Sequence, residues 1–265
     1  MSRFKDRVLI VTGGGSGIGE ATALEFAAQG GAVTIADIDA EHGKAVVERI
    51  QADGGAARYF NCDVSDYDRS CACVAETEQA FGRVDYLVNC AVSFLAKWLD
   101  ADQDTWDKSL GVNVVGGFNM VKACVSAMRR TGGGAIVNLS SISAYIAQPN
   151  RWTYNTTKGA INSLTRCMAM DLAQYDIRVN SVSPGWIWTP TVIDMANGDI
   201  EKYDPIWGEF HMLRRCGKPS EVARPILFLL SDEASFITAT DLHIDGGFLG
   251  VSSEGLGQSA EWADE

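Results

Sequence analysis

The stretch TYNTTKGAIN, residues 153–162, places a phenol, Tyr154, and an ammonium, Lys158, four residues apart. On a helix that spacing puts both on one face, one turn apart, where each alters the other's ionisation. A free phenol titrates near pH 10 and is almost fully protonated at neutral pH. Bringing it to about 7 takes ~4 kcal/mol, and one ammonium at ~4 Å with an effective dielectric near 20 supplies that amount. A tyrosine so placed could take the hydroxyl proton of an alcohol while hydride leaves its carbon. The plain alternative is a solvent-exposed pair of no consequence, and the rest of the chain must decide between them.

A departing hydride needs an acceptor. The segment TGGGSGIGE, residues 12–20, follows an apolar strand-like run and opens a helical pattern. Gly13, Gly17 and Gly19 allow a tight turn and close approach of the backbone to a pyrophosphate. Ser16 and Ile18 lie within the same loop, and the helix N-terminus behind it stabilises negative charge. A tight turn alone would also explain the glycines; their place after the first strand of an alternating chain favours cofactor binding. The second strand-like run ends in TIADID, and its Asp37 comes eighteen residues after Gly19. A carboxylate there accepts both ribose hydroxyls of adenosine and repels a phosphate on that ribose. Neither Ser16 nor Ile38, the residue after Asp37, brings a cation, so NAD is expected rather than NADP.

The elements that must position these groups are legible as alternation. Runs at 7–12, 32–37, 57–62, 84–89, 134–140, 177–183 and 241–245 read as seven strands, separated by segments of helical periodicity. Strand then helix, repeated, is the pattern of a parallel sheet covered on both faces. Nothing reads as a linker or a repeat, so residues 1–247 are expected to form one dinucleotide-binding and catalytic domain. The tail at 248–265, rich in Gly, Ser and acids, is either mobile or docked on a neighbour through Phe248 and Trp262.

Composition narrows the partners. The chain has 265 residues, 46% of them hydrophobic, with a formal net charge of −12 and a pI near 4.7. That acidity opposes nucleic acids and anionic membranes, and no run of Lys and Arg offsets it. The apolar run before the glycine loop is too short for a signal peptide or a membrane span, and a cytoplasmic location is expected. Seven cysteines form no CxxC pair and three histidines share no ligand spacing with them, so reduced, buried thiols and no metal are expected.

Several motifs in order now carry a resemblance: TGGGSGIG, CDV at 62–64, NCA at 89–91, GVNVVG at 111–116, NLSS at 138–141, YNTTK at 154–158, SPG at 183–185 and IDGG at 244–247. Over essentially its whole length the chain resembles the short-chain dehydrogenases/reductases. That resemblance implies a single doubly wound Rossmann-type α/β domain assembled as a dimer or tetramer. It implies Asn113, Ser141, Tyr154 and Lys158 as the catalytic four, with Tyr154 as base, Ser141 on the substrate oxygen, Lys158 also on the nicotinamide ribose, and Asn113 positioning water for a proton relay. Asp63 and Val64 would contact adenine, Asn89 and Ala91 would line the cofactor cleft, and Pro184, Gly185, Ile187 and Thr189 would meet the nicotinamide end. Ser140 and Arg215 look structural, and Tyr145 is no rival base because Pro149 stands where its lysine would be. The family's usual NNAG is NCAV here, so Cys90 and Val92 alter the cleft beside the substrate.

Specificity then falls to loops at 91–100, 142–153 and 186–216, the last long and aromatic. Trp186, Trp188, Trp207, Phe210 and His211 could wall a pocket, with Ser143 and Arg151 beside Ser141 and Tyr154. Aromatic walls beside polar groups suit a sugar or cyclic polyol, and suit a steroid or aromatic diol nearly as well. An NADPH-dependent β-ketoacyl reductase is the competing enzyme, opposed by Asp37 and the acidic surface. A catalytically silent dinucleotide-binding scaffold is the competing non-enzyme.

Overall fold

The computed structural model describes residues 2–252 and Gly255. Seven strands, β1 (Val8–Thr12), β2 (Ala32–Asp37), β3 (Ala56–Asn61), β4 (Tyr86–Asn89), β5 (Gly134–Leu139), β6 (Ile177–Pro184) and β7 (Asp241–Ile244), form one sheet in the order β3-β2-β1-β4-β5-β6-β7. Every pairing is parallel. The order reverses between β1 and β4, so a crevice opens where their carboxyl ends diverge. This is the doubly wound α/β fold expected, with strand ends shifted by a residue or two.

Both faces are buried for a reason visible in single strands. In β1, Leu9 and Val11 point into one apolar layer and Ile10 into the other, and β4 repeats this with Val88 against Leu87. The first layer is closed by α1 (Gly17–Ala28), α2 (Ala40–Ala52) and α9 (Pro219–Leu230), through Phe26, Val46, Ile226 and Leu230. The second is closed by α3 (Tyr67–Phe81), α5 (Gly116–Arg130) and α6 (Trp152–Leu172), through Cys73, Met120, Cys124 and Met168. Burying such strands on two sides is what forbids polar alternation in them.

Between α4 (Gln103–Leu110) and α5 lies a π turn, Gly111–Val115, so these helices run as one bent rod. Such a turn adds a residue to the helix and re-aims its neighbours. By length and composition alone the rod Gln103–Arg130 could cross a membrane; here it packs on α3 and β4 as part of the second layer. The segment after β6 folds into two short helices, α7 (Pro190–Met195) and α8 (Ile200–Gly208), where the sequence reads as an aromatic loop. Phe248 is half-buried and packs edge-on against His211 at 5.3 Å. Trp262 lies outside the described residues.

Candidate active site

Two openings share walls at the carboxyl end of the sheet. The longer one, about 1340 Å³, runs past Gly13, Ser16, Gly17, Ile18, Gly19, Asp37, Ile38, Asp63, Val64 and Ala91 to Thr189. The second, about 740 Å³, holds Ser141, Ser143, Arg151, Tyr154, Lys158, Pro184, Gly185, Trp186 and Ile187, and shares Ile18, Val92, Phe94 and Thr189 with the first. The residues expected from scattered parts of the sequence therefore meet along one continuous cleft.

The long cleft fits a dinucleotide by its backbone. Gly13 and Gly17 have φ of +61° and +56°, a region L side chains rarely adopt. A Cβ on Gly19 would lie 2.1 Å from the Gly13 carbonyl, and one on Gly13 would lie 2.8 Å from Ala91, so side chains would fill the cradle. Helices α2, α3, α4 and α8 are each capped by an aspartate, whereas Ser16 makes no side-chain cap on α1. The first-turn N–H groups of α1 are thus left to an external anion, which the helix end favours. At the adenosine end the Asp37 carboxylate accepts from the Gly15 N–H at 2.8 Å and the Asp39 N–H at 2.9 Å. Those bonds fix its orientation and leave lone pairs for ribose hydroxyls. Asp63 is fixed likewise by Ser65, and Lys108 is the one basic side chain among the described residues that line this cleft.

At the other end Tyr154 and Lys158 rise from the first two turns of α6, both nearly inaccessible to solvent at 8% and 2% exposure. Phe94 stacks on Tyr154 with ring centroids 5.8 Å apart. Lys158 donates to the Leu139 carbonyl at 2.8 Å, and its Nζ lies 5.5 Å from the tyrosine ring centre. Burial dominates the ionisation of both groups. It pushes the phenol up to about 12, against favourable contributions from Ser141 and Arg151, and lowers the ammonium to about 8. The expectation that Lys158 alone brings the phenol to neutrality is therefore corrected. With Lys158 already in place, bringing the phenol from about 12 to 7 takes a further ~7 kcal/mol. Further positive charge is required.

Two side chains sit elsewhere than expected. Asn89 turns beneath the cleft, donating to Asn138 Oδ1 at 2.9 Å, because it ends β4 on the face covered by α5; Cys90, buried and inert with its thiol pushed up to about 12, lines the cleft instead. Asn113, on the π turn, spends both amide hydrogens on the Ser93 carbonyl and Thr157 Oγ1 and accepts from the Ser93 N–H at 2.6 Å. Its side chain ties the 91–95 loop to α6. Ser140 bonds the Lys158 carbonyl, and Tyr145 points away to Asp241, both as expected. Arg215 pairs with Glu221 at 2.7 Å, whose carboxyl it pulls down to about 2.

The aromatic wall is also rearranged. Trp186 stacks on Trp207 at 5.0 Å, and Trp207 on Trp188 at 5.5 Å, so their faces cover one another. Only Trp186 lines the pocket. His211 lies behind it, accepting from the Trp186 N–H at Nε2 (3.3 Å) with Nδ1 on the Trp207 carbonyl (3.1 Å). That pattern needs the neutral ring, which burial favours. Phe94, Gln148, Val192 and Met195, unmarked individually in the sequence, complete the lining. All four belong to the three loops picked out above, but only packing singles them out.

Comparison with known proteins agrees with this geometry. Residues 13–249 match the family model described as enoyl-(acyl carrier protein) reductase. The chain is 38% identical to trans-4-hydroxycyclohexanecarboxylate dehydrogenase of Sinomonas cyclohexanicum, over 93% of this chain and 96% of that one. It is 35% identical to cyclopentanol dehydrogenase of Comamonas sp. (strain NCIMB 9872), over 94% and 99%. A solved short-chain type dehydrogenase/reductase from Mycobacterium ulcerans superposes with a TM-score of 0.86 at 33% identity, covering 93% of this chain and 90% of that one. Matched along nearly all of its length by proteins this similar, the chain belongs to the short-chain dehydrogenase/reductase family, oxidoreductases that work with a nicotinamide cofactor.

Proposed function

We propose that the protein is an NAD-dependent dehydrogenase that interconverts a secondary alcohol on a small ring and the corresponding ketone. The observation that carries this reading is the single cleft with Asp37 and the glycine loop at one end and Ser141, Tyr154 and Lys158 at the other. Oxidation removes the alcohol proton to the Tyr154 oxygen and the carbon-bound hydrogen as hydride, leaving a carbonyl. A nicotinamide held in the long cleft would supply the acceptor for that hydride and, when oxidised, a positive charge that favours the phenolate. Ser141 donates to the substrate oxygen, Lys158 holds the ribose and the electrostatic field, and the buried, Phe94-covered site keeps water from the reacting centre. In reduction Tyr154 returns the proton.

Asp37 supports NAD, since a ribose phosphate would meet a fixed carboxylate at a cost of up to ~4 kcal/mol per unit charge. The lining of Phe94, Ile142, Val192 and Met195 supports a carbocycle over the sugar or polyol first expected, since the tryptophan faces are stacked on each other rather than laid open to a sugar ring. The relatives named above act on ring alcohols, which supports the same choice. Exposed Leu110, Val115, Phe118 and Met170 on the α4–α6 side support assembly with further copies, and seven free thiols support a reducing, cytoplasmic setting.

The test is a panel of cyclopentanols, cyclohexanols, sugars, polyols and a β-hydroxyacyl thioester, each with NAD and NADP, followed by reduced-nicotinamide absorbance. Ring alcohols with NAD should give the highest kcat/KM. Turnover of the thioester with NADP alone, or none with any alcohol, overturns the reading.

A further inference from the structure

The pocket around Tyr154 is lined by two cations and no acid: Lys158, turned to the Leu139 carbonyl, and Arg151. Arg151 stands at the N-cap position of α6, three residues before Tyr154, makes no capping bond there, and lines the same pocket as the phenol. Its charge is felt at the phenol. Among the described residues no carboxylate or carbonyl accepts from its guanidinium, whereas Arg7, Arg83, Arg130 and Arg215 all meet acids. A chain with 34 Asp and Glu against 22 Lys and Arg has no shortage of acids to pair it. Gln148, which lines the same pocket, has its Oε1 held by the Ser143 hydroxyl at 2.7 Å, and its amide N–H groups meet no acceptor among the described residues.

We propose that the ring substrate carries a carboxylate, received by the guanidinium of Arg151 and the amide of Gln148 while its hydroxyl lies at Ser141 and Tyr154. The proposal rests on the ring-alcohol reading and narrows it. A planar fork of N–H donors matches a carboxylate's two oxygens, and one guanidinium plus one neutral amide offsets a single negative charge. A phosphate dianion would bring a second negative charge that the single guanidinium and the neutral amide do not offset. The short span from Arg151 to Tyr154 suits a five- or six-membered ring with the acid and the carbinol on different carbons.

The experiment uses the full-length enzyme with NAD and compares hydroxycyclohexanecarboxylates with their methyl esters. The acids should exceed the esters at least tenfold in kcat/KM, Arg151→Lys should keep part of that preference, and Arg151→Gln should bring the ratio close to one. Binding is read separately with cyclohexanecarboxylate, which cannot be oxidised, by quenching of tryptophan fluorescence in the NADH complex. It should weaken at least tenfold in Arg151→Gln, and cyclohexyl phosphate should bind less tightly than the carboxylate. Equal use of acid and ester by the parent enzyme, a preference that survives Arg151→Gln, or tighter binding of the phosphate overturns the proposal. Arg151-dependent binding without oxidation of any alcohol would instead overturn the ring-alcohol reading and leave the carboxylate site standing.

Discussion

The nucleotide end and the substrate end of the cleft are built from different materials. The nucleotide end is backbone: positive-φ glycines, uncapped N–H groups of α1, and one carboxylate fixed by two main-chain donors. The substrate end is side chain: Phe94 from one loop, Gln148 and Arg151 from a second, Trp186, Val192 and Met195 from a third. Backbone devices tolerate few substitutions, since a Cβ at Gly19 would overlap the Gly13 carbonyl. Side-chain walls can be exchanged one at a time without disturbing the sheet beneath. The difference teaches that cofactor binding and substrate choice are separable in this molecule, and mutations should divide accordingly.

The sharpest division comes at Tyr154. Tyr154→Phe removes the proton acceptor and should lower kcat about 10⁴-fold, while NADH affinity, measured by fluorescence titration, stays within a fewfold of the parent. A large loss of NADH binding would break the separation. Asp37→Ser works from the opposite end: the NAD-to-NADP ratio of kcat/KM should fall about a hundredfold, the scale of one fixed like charge. The ranking of alcohol substrates should not move.

Lys158 joins the two ends, and pH exposes its cost. Its native pKa of about 8 lies below the ordinary 10.5, so the unfolded chain binds more protons between these values. Wild-type stability therefore rises with pH across that window, and at pH 7 the buried charge costs ~3 kcal/mol. Lys158→Met should be inactive yet about 2 kcal/mol more stable at pH 7, after ~1 kcal/mol for the lost bond to Leu139. Denaturant midpoints at pH 7 and 10.5 test this, because the advantage should disappear at the higher pH. The smallest effect is at Gly185, a backbone device within the substrate end. A Cβ there would lie 2.9 Å from His211 Nε2 and 3.0 Å from Asp245 Cα. Gly185→Ala should shift the Trp186 loop and lower kcat/KM for alcohol about tenfold, with the cofactor preference unchanged.

How far the sequence could be read follows the same boundary. The seven strands, the glycine cradle, Asp37 and the Tyr154–Lys158 spacing are local patterns, each set by neighbours within one or two elements. The partners of Asn89 and Asn113 could not be read, because an asparagine's partners are chosen by whatever packs above it: Asn138 for one, Ser93 and Thr157 for the other. The lid tryptophans read as a substrate wall because composition reveals aromatic faces but not that Trp186, Trp207 and Trp188 stack on one another.

Periodicity and motif spacing by themselves determined the parallel sheet, the order of its elements and the residues able to hold a dinucleotide, since those depend on short-range geometry that the chain carries with it. Tertiary structure alone decided the electrostatics: how deeply Tyr154 and Lys158 are buried, and therefore that one lysine is too little charge to make the phenol a base. It also decided which of many polar side chains face the pocket, leaving Arg151 there without an acid. Desolvation and pairing are properties of what surrounds a group in space, and the surroundings come from segments far apart along the chain.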